Sequence, residues 1–212
     1  MVQIGLNDFP KLSNLFLVAN DNFFLEKNKL SSKNKRIFEA FKLDNVIDIK
    51  VDPQILYLKG LDYFYGHSVE QSVEKAFEYL SSAAAQGFAA AKYTIGFCYS
   101  VGDGLEQSAE KAFEYFSSAA AQGHVDAEYA VGLCYFEGRG VMQSAEKALE
   151  YLSLAAAKGR IDAEYAIGII YSVGNGVEQN AEKAFEYLSS AAAQGFAAAK
   201  YTIGFCYSVG DG

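Results

Sequence analysis

Ala91-Lys-Tyr-Thr-Ile-Gly96 returns as Ala127-Glu-Tyr-Ala-Val-Gly132, as Ala163-Glu-Tyr-Ala-Ile-Gly168 and as Ala199-Lys-Tyr-Thr-Ile-Gly204. Each copy follows the last by 36 residues, and one step back, Ile55 to Gly60 keeps only the glycine. A fixed period of this length marks an array of supersecondary units that bury their apolar faces on one another. The units read as 55–90, 91–126, 127–162, 163–198 and a partial 199–212.

Within a unit the spacing predicts two helices. The first runs from about Ala91 to Val101, with Ala91, Ile95 and Cys98 on one face. Gly102 and Gly104 then supply the positive φ that a helix exit needs. The second starts after Ser108, an N-cap residue followed by Glu110 where the helix dipole favours an acid, and it stops at Gly123. Ser72, Ser144 and Asn180 repeat the cap, and Gly87, Gly159 and Gly195 repeat the stop. Runs such as Ala83 to Ala85 allow helices to approach closely, with Tyr79, Tyr115, Tyr151 and Tyr187 filling the space beside them. The only prolines are Pro10 and Pro53, so nothing interrupts helices in the remainder. The expected fold is all-α, a right-handed α–α superhelix of stacked hairpins.

In the third unit Ala127, Tyr129, Val131, Gly132, Tyr135, Gly138, Gly140 and Val141 precede Lys147, Ala148, Tyr151, Ala155, Ala156 and Gly159. This pattern resembles the Sel-1-like repeat, a relative of the tetratricopeptide repeat, over residues 55–212. One departure is systematic: Ser82, Ser118, Leu154 and Ser190 stand where the family commonly has a basic residue. The resemblance implies a helical solenoid and a function among adaptors of membrane-protein quality control, signalling or host–microbe contact.

Residues 1–54 lack the repeat. Phe9, Leu12, Phe16, Ala19 and Phe23 fall at helical spacing, and Ile37, Phe38 and Phe41 suggest a second short helix. Asp52-Pro53 is a helix start. The expectation is a cap over the first unit, since repeat arrays need covered ends; the alternative is a separate interaction segment or a remnant of another domain. Residues 177–212 match 69–104 at all but Asn180 and Ala181, which suggests duplication of a three-unit block. The sequence closes in an interhelical loop, with Ile203, Cys206 and Tyr207 lacking a second helix. A truncated longer array is expected, or a homo-oligomer that buries this end.

The net charge of −8 divides as +1 over 1–54 and −9 over 55–212. An acidic body repels a phosphate backbone and an anionic membrane surface, so no nucleic-acid partner is expected. Asp8, Lys11, Asn14, Asn20 and Asp21 interrupt any secretory signal, and no apolar run spans a membrane. The expected location is cytoplasmic. Cys98, Cys134 and Cys206 share a position that Ile170 fills in the fourth unit, so they read as buried thiols. Neighbouring copies should lie about 9–11 Å apart, too far for a disulfide. The resemblance adds that some family members staple each unit with a cysteine pair, which this chain lacks.

Catalytic chemistry is not indicated, and no cofactor or metal is expected. His124 occupies a place held elsewhere by Phe88, Arg160 and Phe196, a tolerant surface or seam position. The Gly-x-Gly pairs at 102/104, 138/140, 174/176 and 210/212 follow helices rather than strands, so they are turn glycines and not phosphate loops. Glu110, Glu146 and Glu182 recur as helix-end charges. The candidate partner-binding stripe lies on the first helices, at Thr94, Phe97 and Val101, at Ala130, Leu133 and Glu137, and at Ala166, Ile169 and Val173. Phe97, Leu133, Ile169 and Phe205 form an apolar ladder on it, which either receives a peptide on the curved inner face or belongs to the core between repeats. The third unit differs in its loop, at Phe136, Glu137, Arg139 and Met142, a candidate specificity patch. The expected function is a protein-binding adaptor; the alternatives are a self-assembling structural module and a regulatory piece of a larger multidomain protein.

Overall fold

A computed structural model describes the chain from Val51 to Val209, apart from Ser68 and Asn175, with side chains to Phe205. The proposed cap therefore lies outside the described residues except for 51–54, as do Gly210, Gly212 and the side chains of Cys206 and Tyr207. Among the described residues there are nine helices and no strand. They are α1 (Pro53–Tyr65), α2 (Val73–Ala85), α3 (Ala89–Val101), α4 (Ala109–Ala120), α5 (Val125–Glu137), α6 (Ala145–Ala157), α7 (Ile161–Val173), α8 (Ala181–Ala193) and α9 (Ala197–Val209). Every extensive helix contact joins chain neighbours, tightest within the hairpins α1–α2, α3–α4, α5–α6 and α7–α8.

The joints are made by local hydrogen bonds repeated from hairpin to hairpin. Ser72, Ser108, Ser144 and Asn180 cap α2, α4, α6 and α8, each accepting a backbone N–H three residues on. Glu74 and Glu146 accept from the cap hydroxyl at 3.1 and 2.9 Å. Their own backbone N–H groups, and then these serines, hold both carboxyls below the usual range. The second helices end in Schellman turns: Gly87 N–H donates to Ala84 and Phe88 N–H to Ala83, and the pattern recurs at Gly123, Gly159 and Gly195. The residue after each glycine is at once the last of the turn and the N-cap of the next helix. That is why α3 begins at Ala89, two residues before the sequence-based start at Ala91. No Ser or Asp marks this beginning, because the turn before it already fixes the chain.

A second repeated device closes the longer loop. Gln71, Gln107, Gln143 and Gln179 each donate from Nε2 to the carbonyl seven residues earlier, at 2.7–2.9 Å, satisfying a helix C-terminus. Asp52 caps α1, with Pro53 at its first position, as the sequence predicts.

The core is divided among the seams between hairpins. Leu56, Leu80, Ala83, Ala84, Ala91 and Ile95 form one cluster, Phe116, Ala119, Val131 and Cys134 belong to the next, and Leu152, Ala155, Ile167 and Ile170 to the third. Ala83, Ala91, Ala119 and Ala155 reach zero exposure because nothing larger would let second and first helices meet. Tyr79, Tyr115, Tyr151 and Tyr187 stack on Tyr63, Tyr99, Tyr135 and Tyr171, with ring centroids 5.6–6.3 Å apart. Lys75, Lys111, Lys147 and Lys183 cover the other ring of each pair at 5.0–5.1 Å. Each hairpin thus carries a Lys–Tyr–Tyr stack that ties the start of its second helix to the end of its first.

Candidate partner-binding face

The stripe residues lie on α3, α5 and α7, the first helices of successive hairpins. Phe97 is 48% exposed and Val101 52%, while Val173 is 61% exposed. Leu133 and Ile169 are half-buried and lie outside the three core clusters. Ala130 and Ala166 lie beside them and also pack on the core. Thr94 is half-buried and turns its hydroxyl back to the Ala90 carbonyl at 3.0 Å, so it offers a methyl group instead of a donor. Glu137 is exposed and ion-paired with Arg139. Phe205 on α9 continues the row with 56% exposure, and Leu61 begins it on α1, half-buried.

In the third-unit loop Phe136 packs into the α6–α7 cluster, Glu137 and Arg139 are ion-paired, and Met142 is exposed.

One edge of the stripe is a seam that the sequence only hinted at. Tyr57, Tyr93, Tyr129 and Tyr165 each face the N-cap residue of the next first helix. Tyr57 meets Phe88 at 5.2 Å, Tyr93 meets His124 at 5.0 Å and Tyr165 meets Phe196 at 5.2 Å. Arg160 lies over Tyr129 at 4.6 Å. The position that tolerates Phe, His and Arg does so because all three offer a flat or cationic group to a tyrosine ring. Arg160 also donates to both oxygens of Asp162, from Nε at 2.7 Å and from its second terminal nitrogen at 2.9 Å. Its remaining terminal nitrogen contacts Asp126 of the preceding hairpin. Behind this group Lys158 Nζ bonds the buried Glu128 Oε1 at 2.6 Å and the Gly123 carbonyl at 3.1 Å. Lys92, at the position of Glu128, instead reaches Ser118 at 2.8 Å.

His124 caps α5 through Nδ1, which accepts from Ala127 N–H at 3.4 Å. Burial lowers its pKa below 6.5, partly offset by the Glu128 carboxylate. The unfolded state therefore binds the proton more readily, and stability falls as pH drops through 6.5 toward the lower folded value. His124→Phe, copying Phe88 and Phe196, is expected to remove this loss. Thermal melts of both proteins between pH 7.5 and 5 test it, and parallel pH profiles would count against it.

Cys98 and Cys134 are free and buried. Burial pushes the Cys98 thiol up to about 11 and raises Cys134 as well, so both stay protonated and unreactive near neutral pH. Among the described residues no three His, Cys, Asp or Glu side chains converge as metal ligands. No helix there is long and apolar enough to cross a membrane.

Helix hairpins stacked in chain order, with cores at the seams and exposed residues in register, define a repeat solenoid. The chain belongs to the Sel1 repeat family, whose model matches residues 57–88, 89–124, 125–159 and 161–196. Members are generally protein-interaction modules and non-catalytic scaffolds. A Sel1 repeat protein from Oxalobacter formigenes is 31% identical with a TM-score of 0.73, over 84% of this chain and 71% of that one. A protective antigen of uropathogenic Escherichia coli strains, displaying an SLR fold, is 28% identical with a TM-score of 0.71, over 84% of this chain. The chain spans only 36% of that protein's length. None of the curated proteins matches the sequence.

Proposed function

We propose that this chain is a scaffold that holds a segment of another protein along the ladder of Phe97, Leu133 and Ile169. The observation that carries this reading is that large apolar residues at one register position stay outside the seam cores, exposed at Phe97 and Phe205 and half-buried at Leu133 and Ile169. The seam cores close without Phe97, Leu133 and Ile169, yet that position is apolar in every hairpin. A contiguous apolar row left to water is a feature of interaction surfaces. Thr94, Ala130 and Ala166 keep the space beside the row shallow, so an extended or helical segment can lie across it. Val101 and Val173 widen the apolar strip at the far ends of α3 and α7, and Glu137 sets a polar boundary at the end of α5. Free Cys98 and Cys134 support a reducing compartment, the cytoplasm among them.

Changing Phe97, Leu133 and Ile169 together to serine is expected to leave the helical circular dichroism intact. Affinity for a partner captured from native lysate should fall roughly tenfold or more, because apolar anchors lose their burial. A photo-crosslinker at position 133 should label that partner, while one at Glu150 on α6 should not. Undiminished capture by the triple variant would refute the ladder as the binding face.

A further inference from the structure

The ladder's own chemistry points to the kind of segment it holds. The hairpins differ from one another at few positions on this face, and the differences are grouped. At the first row, Ala90 and Ala198 of α3 and α9 are replaced by Asp126 and Asp162 on α5 and α7. At the second row, Thr94 and Thr202 are replaced by Ala130 and Ala166. Acids therefore stand only where the neighbouring side chains are smallest. Only Ala130 and Ala166 stand between the apolar row and the two carboxylates, which lie about 10 Å from it along each helix.

The charge on this edge is not balanced. One guanidinium, Arg160, serves two carboxylates, and it is also covered by the Tyr129 ring. Asp162 is held at both oxygens, whereas Asp126 contributes only Oδ1 and its side chain remains 44% exposed. The neighbouring pairs Lys158–Glu128 and Arg139–Glu137 each sum to zero. The Arg160 group itself keeps one net negative charge, and Asp126 is the more exposed of its two carboxylates.

We propose that the segment bound on the ladder carries a lysine or arginine beside its apolar residues, and that this cation crosses Ala130 to meet Asp126. The inference rests on the ladder being the binding face. The occupant is an amphipathic basic–apolar peptide. An acidic segment would meet Asp126 directly and gain little from Arg160, whose charge is already shared between Asp126 and Asp162.

Selection of random peptides of about 14 residues, enough for a helix of roughly 20 Å, against the full chain tests the inference. The enriched peptides should share a Lys or Arg at a fixed offset from two or more apolar residues. Fluorescence anisotropy of the consensus peptide should show roughly fivefold weaker binding to Asp126→Asn. That variant keeps the Arg160–Asp162 pair, so folding is retained. Asp126→Glu should restore binding, and added salt should weaken wild type more than Asp126→Asn. Enrichment of neutral or acidic peptides that need Leu133 but ignore Asp126→Asn would overturn this inference while leaving the ladder in place. Peptides indifferent to Leu133→Ser, or no enrichment at all, would overturn both. A dimer abolished by Leu133→Ser would identify a second copy as the occupant and equally defeat the proposal.

Discussion

Gly140→Ala is expected to lower stability by about 3 kcal/mol or more and to split the unfolding of the array into separate steps. Gly140 has φ +69°, and a Cβ there would sit 2.1 Å from the Ala109 carbonyl oxygen and 2.8 Å from the Glu110 amide nitrogen. The left-handed backbone alone costs an alanine about 1–2 kcal/mol. The larger part comes from the wall, which is main chain at the first turn of α4 and has no side chain to swing away. The loop of the α5–α6 hairpin must lift off the preceding hairpin, which loosens the seam at Phe116, Ala127 and Val131. In a solenoid each unit is coupled only to its neighbours, so a weakened seam divides the array at that point. Gly159→Ala is the control, because φ is +87° there but nothing lies within 4 Å of the added methyl. Its cost should be about 1 kcal/mol, with a single transition retained. Urea denaturation followed by circular dichroism measures both. Equal losses for the two variants would show that the contact with Ala109 is unimportant.

This difference between glycines explains how far the sequence carries. Period, caps and stops were legible because each is settled within a few residues: Ser108 caps its own helix, and Gly123 ends it. The wall behind Gly140 belongs to another unit, so the sequence identifies the turn but not the contact. Gln107 was silent for a related reason, since its bond to the Ser100 carbonyl spans a loop that no helical periodicity describes. The face shows the same division. Wheel geometry separates Phe97 from Ile95, and the structure leaves the first partly open and buries the second. The Arg160 cluster joins three residues of two hairpins, and only stacking in register brings Asp126 to Asp162. Arg160 read alone is a tolerated substitution for phenylalanine; beside Tyr129 and two carboxylates it is the centre of a charged seam on that face.

The strongest coupling inside a hairpin should join Gly132 to Leu152, with a sign change as its signature. Gly132 lies in the middle of α5, where alanine would ordinarily be better by about 1 kcal/mol. Here a Cβ would stand 2.7 Å from Leu152 Cγ and 2.9 Å from its Cδ2. Leu152 is fully buried on α6 and fills the notch that the missing side chain leaves. Gly60 with Leu80, Gly96 with Phe116 and Gly168 with Leu188 repeat the arrangement, so the glycine sets how closely the two helices of a hairpin pack. Gly132→Ala should therefore destabilise by about 1–3 kcal/mol through overpacking. Leu152→Ala should cost about 2–5 kcal/mol through the cavity it opens. In the double variant the new methyl enters that cavity, its clash with Leu152 disappears, only the 3.3 Å approach to the Ala148 carbonyl remains, and the helical preference for alanine returns. Gly132→Ala in the Leu152→Ala background is then expected to be neutral or stabilising, a coupling of about 2 kcal/mol or more. Chemical denaturation of the four proteins closes the cycle. Additive losses would mean that the hairpin opens to accommodate the methyl, and that the notch does not fix the helix separation.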